Sequence, residues 1–246
     1  MSLVQIIIFF LIGLFAGCMS GMFGIGGGGI RIPLLNLAGL PLLGAFAINI
    51  IVIPFSSAVG AISQRRNIDK DIALYMVAGG TLGSVMGAYL AGLIPTLTLA
   101  IIFVIVSIIT ILGIYLDRIA PEFSRKITPG SKNIVIGSFC LNLITGVRGG
   151  SGGALFSPFL RAMHFDIHKA IATSLFVTIF TAFAAAAIYW HRGNIIWLPA
   201  LCVLAGSMIG ARIGSKISLR AKSFWLEIGL SVLTVALASL TVYKAL

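Results

Sequence analysis

The chain has 246 residues, of which 59% are hydrophobic and 9% charged, with 17 basic against 6 acidic side chains and a mean hydropathy of +1.12. That composition leaves too little polar surface to clothe a water-soluble globule, so the chain is expected in a lipid bilayer. The formal charge of +11 does not point to nucleic acid, because the basic residues mostly occupy short connections between apolar spans, where they set orientation.

Met1 to Phe23 is apolar, with no basic n-region and no clear small-residue cleavage site, and predicts a retained first helix rather than a signal peptide. Apolar units then follow at about 30–40, 42–62, 71–93 and 96–116. After a connector at 117–132, which carries Pro121, Pro129 and Gly130, a second set runs at about 133–147, 154–163, 169–190, 196–217 and 223–243. The expected organisation is one membrane domain over 1–246: a first repeat at 1–116, a cytoplasmic connector at 117–132 and a second repeat at 133–246. Cys18, Cys140 and Cys202 are odd in number, lie in apolar stretches and form no CxxC, so they read as buried packing residues rather than redox groups.

One phrase occurs twice. Gly24-Ile25-Gly26-Gly27-Gly28-Gly29-Ile30-Arg31-Ile32-Pro33 returns as Gly149-Gly150-Ser151-Gly152-Gly153-Ala154-Leu155-Phe156-Ser157-Pro158. Each copy interrupts an apolar segment where a membrane helix would be continuous. A glycine run cannot shield its own backbone, so within a bilayer its N–H and C=O groups must face protein or a polar cavity. Such breaks in corresponding halves are the mark of a transporter with a central binding site. The repeat extends further: Ala47-Ile48-Asn49 matches Ala172-Thr173-Ser174, and Arg66-Asn67-Ile68 echoes Arg192-Gly193-Asn194-Ile195. Gly79, Gly83 and Gly87 recur as Gly206, Gly210 and Gly214, a spacing of four that lines one helix face for close backbone approach, and these six read as packing residues.

Charge placement predicts orientation. Arg65, Arg66 and Lys70 share a side with Arg118, Arg125, Lys126 and Lys132, with Arg161 and Lys169, and with Lys216, Arg220 and Lys222, leaving Arg192 and Lys244 on the other. The positive-inside rule makes the richer side cytoplasmic. The two halves are then inverted, and both termini are expected outside the cytoplasm. The fold class is therefore an all-α polytopic membrane protein of two inverted repeats. Each repeat carries three full transmembrane helices and a glycine-broken element, either re-entrant or a pair of half-helices.

Taken together, the glycine phrase and its degenerate copy, the Ala-x-Asn or Ala-Thr-Ser element, the Arg-Gly-Asn-Ile turn and the small-residue helix resemble the sulfite exporter TauE/SafE family of membrane transporters, over nearly the whole chain. The resemblance implies a multi-pass protein of the bacterial inner membrane that moves small sulfur-containing anions, such as sulfite or sulfoacetate, usually outward.

The residues independently favour an anion. Arg31 and Arg148 flank the two breaks, and an arginine near the bilayer centre costs about 2.5–3.5 kcal/mol on insertion scales. All six acids, Asp69, Asp71, Asp117, Glu122, Asp166 and Glu227, fall in or near the expected cytoplasmic connections, so the sequence offers no midplane carboxylate to offset them. The short helices after each break would add positive N-terminal dipoles. The substrate site is expected at Arg31, Arg148, Gly26, Gly27, Gly28, Asn49, Ser151, Gly152, Gly153, Thr173 and Ser174. Either arginine could instead snorkel to a headgroup or bond carbonyls freed at the break, and the same applies to Arg212 near a helix end.

His164-x-x-x-His168 shares a helix face but lacks an accompanying Glu or Cys, and reads as a solvated pair rather than a metal site. The glycine run lacks the Gly-Lys-Ser/Thr of a phosphate loop, and no nucleophilic or paired-carboxylate arrangement is legible. No cofactor, metal or enzymatic activity is expected. The reading is alternating-access transport of a small sulfonate or sulfite-like anion. Its alternatives are an anion-selective channel and, against the isolated cysteines, a membrane electron-transfer or assembly protein.

Overall fold

The computed structural model describes residues 2–90, 130–147, 150, 152–191 and 195–243, together with isolated positions between 95 and 122. Every regular element among them is helical. In the first half these are α1 (Leu3–Phe23), α2 (Gly28–Leu37), α3 (Leu42–Ser63), a single 3-10 turn at Arg65–Asn67, and α4 (Lys70–Leu90). In the second half they are α5 (Ser131–Gly146), α6 (Gly153–Ala162), α7 (Ile167–His191), α8 (Trp197–Arg220) and α9 (Ser223–Tyr243). The unit expected at 96–116 is helical at each described position from 98 to 112, while most of the 117–132 connector lies outside the described residues. Helices α1, α4, α7 and α8, and Gly44–Ser63 of α3, are each long and apolar enough to cross a membrane. With its apolar composition, the chain is a multi-pass membrane protein.

Helix ends follow local chemistry. Ser2 and Gln5 form a reciprocal capping box at the start of α1. The Asp69 carboxylate accepts the Ile72 amide at the start of α4, and that of Asp166 accepts the amides of His168 and Lys169 at the start of α7. These caps begin α7 two residues before the expected boundary. They also occupy two of the six acids at helix N-termini, where negative charge is favourable.

Small residues decide which helices meet. A Cβ on Gly206, Gly210 or Gly214 of α8 would collide with the carbonyls of Phe10, Leu14 and Cys18 on α1, and one on Gly13, Gly17 or Gly21 would meet those of Val203, Ser207 and Ala211. Gly79, Gly83 and Gly87 of α4 stand in the same relation to Val135, Phe139 and Leu143 of α5. In a bilayer, such close approach supplies the van der Waals contact that holds helices together. Residue numbers rise together across both interfaces, so each pair is parallel. Helices α3 and α7 instead run antiparallel, with Gly60 against Leu175 and Phe55 edge-on to Phe183 at 5.7 Å.

Both short helices fold back along the helix before them. Gly27 abuts Ala16 and Ser20 of α1, and further on Leu35 joins Phe9 and Ile12 in one buried cluster, so α2 runs antiparallel to α1. In the second half Gly152 abuts Asn142 and Phe159 abuts Gly137, so α6 runs antiparallel to α5. Where the sequence allowed re-entrant or paired half-helices, both short helices return.

The cysteines do not share one environment. Cys18 and Cys202 are partly covered and Cys140 is exposed on the outer face of α5, so the expectation of uniform burial fails there. Helix α5 turns its small and polar face, Ser138, Asn142 and Gly146, inward to α4, which leaves the Cys140 side facing out.

Candidate functional site

Helix α1 ends because Gly24 adopts φ +70°, a left-handed conformation that L side chains rarely take, while its amide still donates to the Ser20 carbonyl. Gly26 and Gly27 are also left-handed, at φ +69° and +73°, which turns the chain back toward the centre. The second half grips this turn: the Gly24 carbonyl accepts hydrogen bonds from Ser174 Oγ (2.6 Å) and Ser157 Oγ (3.4 Å). Gly27 then caps α2 without a side-chain hydrogen bond to the helix amides, so the positive end of the helix faces the turn.

One turn into α2 stands Arg31, with 0% of its surface exposed. Its Nη1 donates to Asn49 Oδ1 of α3 at 2.7 Å and its Nη2 to Ser207 Oγ of α8 at 3.2 Å. Ser207 Oγ in turn donates to the Gly13 carbonyl of α1 at 3.1 Å. Ser207 and Gly13 both lie halfway along helices of membrane-spanning length, which puts the guanidinium at mid-depth. Its Nε, fully buried, has no hydrogen-bond partner among the described residues. Among the described residues the one ion pair is Arg161 Nε to Glu227 Oε1 at 2.8 Å, which ties the end of α6 to α9. The acids whose contacts are described cap helices or pair with Arg161, and Arg31 is held by neutral groups.

The glycines around it are space requirements. A Cβ on Gly28 would lie 2.7 Å from Asn49 Nδ2, and one on Gly27 would lie 3.0 Å from Arg31 Nη2. The second break mirrors part of this: the Gly152 amide donates to Asn142 Oδ1 at 2.7 Å, and Gly153 begins α6. The two breaks touch, since a Cβ on Gly153 would lie 3.2 Å from the Gly26 amide nitrogen and 2.8 Å from Thr178 Oγ1.

Of the expected site residues, Gly26, Gly27, Gly28, Arg31, Asn49, Gly152, Gly153 and Ser174 therefore gather around one junction between the halves. Thr173 does not face it; its Oγ1 accepts the Asp69 amide at 3.0 Å, on the connection between α3 and α4. Arg148 and Ser151 lie outside the described residues. Ser207, Thr178 and Ser20 also border this junction and stand outside the residues that the sequence predicts for it. The repeat carried a signal for Ser207: with Gly79 matched to Gly206, its counterpart is Gly80, where a Cβ would lie 2.7 Å from Asn142 Nδ2. A polar side chain thus meets this level of the helix in both halves. No group of three or more metal-ligating side chains occurs among the described residues.

Residues 9–241 match the family model described as Sulfite exporter TauE/SafE. The chain is 23% identical to the Probable membrane transporter protein YunE of Bacillus subtilis (strain 168), with 98% of each chain covered. It is 26% identical to the Probable membrane transporter protein YdhB of the same organism, over 86% of this chain and 88% of the relative. It is 24% identical to the Probable membrane transporter protein YfcA of Escherichia coli (strain K12), over 86% of this chain and 80% of the relative. No solved structure matches.

Proposed function

The chain belongs to the sulfite exporter TauE/SafE family of membrane transporters, and from that premise we propose that it moves a small sulfur-containing anion, of the sulfite or sulfoacetate kind, by alternating access. The observation that carries this reading is Arg31. A guanidinium held at mid-depth by an amide oxygen and a hydroxyl has no countercharge among the described residues, and its Nε finds no acceptor among them. A structural arginine would be expected to have a carboxylate or several carbonyls around it. An anion at the glycine junction would supply the missing countercharge, aided by the N-terminal dipoles of α2 and α6.

Inverted repeats are part of the same proposal. The parallel pairs α1 with α8 and α4 with α5 exchange partners between halves as a pseudo-two-fold axis in the membrane plane would require, and α3 and α7 cross antiparallel near that axis. The charge bias puts the connection after α3 and the one after α8 in the cytoplasm, and the bacterial inner membrane is the setting the family suggests. Arg148 and Ser151 belong to the second wall of the site in this scheme.

The test is flux in proteoliposomes of the purified protein with sulfite, sulfoacetate, taurine and acetate. Saturable flux with counter-transport, favouring the dianion sulfoacetate over acetate and zwitterionic taurine, is expected, because positive charge from two sources exceeds what a monovalent ligand neutralises. Non-saturating anion conductance would make the protein a channel, and no flux of sulfite or sulfoacetate would overturn the reading.

A further inference from the structure

Thr178 lies halfway along α7, and its side chain is fully buried. A threonine in a membrane helix ordinarily satisfies itself by donating to the carbonyl a turn earlier. Thr145 and Thr234 do so here, to Leu141 at 2.8 Å and Leu230 at 2.7 Å. Thr178 does not: its Oγ1 has no hydrogen-bond partner among the described residues, and it is aimed at the first residue of α6, 2.8 Å from where a Gly153 Cβ would stand. The Gly26 amide nitrogen lies 3.2 Å from that same point. One residue along the chain, a Cβ on Gly27 would lie 3.0 Å from Arg31 Nη2 and 3.4 Å from Ser20 Cβ, and Arg31 Nε and Ser20 Oγ are also buried without hydrogen-bond partners among the described residues. Consecutive Cα atoms are about 3.8 Å apart, so these three unsatisfied donors belong to residues bordering Gly153 and the adjacent pair Gly26 and Gly27.

Leaving several buried donors unmade is costly unless something accepts from them. We propose that Thr178 is a further substrate-binding residue, whose hydroxyl donates to an oxygen of the transported anion at the N-terminus of α6. This rests on the reading of the protein as a carrier of sulfur oxyanions. The chemistry it selects is a ligand with several anionic oxygens on one centre, such as a sulfite or sulfonate group, because residues with unpartnered donors stand beside both breaks.

The experiment compares sulfite and sulfoacetate binding to the full-length purified protein and its Thr178→Val and Thr178→Ser variants, with thermal stability measured alongside. Valine keeps the branched shape and removes the donor, so affinity should fall about ten- to hundredfold, the worth of a hydrogen bond to a charged group, at unchanged Tm. Serine should retain affinity close to that of the parent. Unchanged affinity in Thr178→Val, or equal losses in both variants, would overturn the assignment while leaving the transport function standing. A second readout uses Thr178→Cys in a background with Cys18, Cys140 and Cys202 replaced by alanine, alkylated with iodoacetate or iodoacetamide. The anionic reagent should be favoured about tenfold more than by a free thiol in solution. A ratio equal to that of the free thiol, or no reaction with either reagent, would overturn the proposal. If the parent bound neither sulfite nor sulfoacetate, the proposed function would fall, and the alkylation ratio alone would decide whether Thr178 lines an anion site.

Discussion

Arg31 is where charge, burial and the break in the chain coincide. Replacing it with alanine removes an insertion cost of about 2.5–3.5 kcal/mol together with a charged donor, so the variant is expected to fold and to lose anion affinity by more than about tenfold. Lysine should restore only part of it, since it keeps the charge without the fork that now spans Asn49 and Ser207. Well-folded Arg31→Ala protein with the parent's sulfoacetate affinity would make the arginine structural. Asn49→Asp provides the converse test. The new carboxylate would stand 2.7 Å from Nη1 and supply an internal countercharge, so anion binding should drop while Tm holds or rises. Retained binding in that variant would show that the positive charge of Arg31 is not what attracts the ligand.

At the scale of elements, the glycine faces of α4 and α8 hold the halves together, since each brings a carbonyl of the facing helix to where a Cβ would be. Overpacking a close contact costs about 1–3 kcal/mol, and here the obstacle is backbone, which cannot rotate away. Gly210→Val should therefore lower the melting temperature in detergent and reduce the folded yield, whereas valine at the neighbouring exposed Ile209 should be silent. Equal melting temperatures for the two variants would remove the close-packing account. Legibility divides along the same line. Spacing alone identified these six glycines, because a period of four marks a helix face regardless of what faces it. It did not identify the partner helices, because nothing in α8 specifies α1 over another apolar helix.

At the scale of the molecule, Trp190 and Trp197 sit edge to face at 5.1 Å at either end of the connection between α7 and α8, and Trp225 is exposed at the start of α9. Tryptophans at helix ends suit a membrane interface. With the charge bias, they lead to a labelling prediction. In a background lacking native cysteines, Arg65→Cys and Ser124→Cys should react with an impermeant reagent only from the cytoplasmic side, and Asn194→Cys only from outside. Labelling of positions 65 and 194 from the same side would exclude an inverted arrangement and leave family membership untouched.

By itself the sequence determined the lipid setting, the helical class, the broken elements and most helix ends. These depend on composition, on glycine runs and on local caps, all of which act over a few residues. It also singled out Arg31, because an isolated charge in an apolar run is conspicuous wherever the chain folds. Only the tertiary structure decided that Ser207 on α8 holds the same guanidinium as Asn49, that α2 and α6 turn back rather than continue across, and that Thr173 faces the Asp69 amide while its neighbour Ser174 holds the first break. Each is a contact between residues remote in the chain. Its geometry follows from which small-residue faces meet in the bilayer, and that choice is made by the shapes of whole helices.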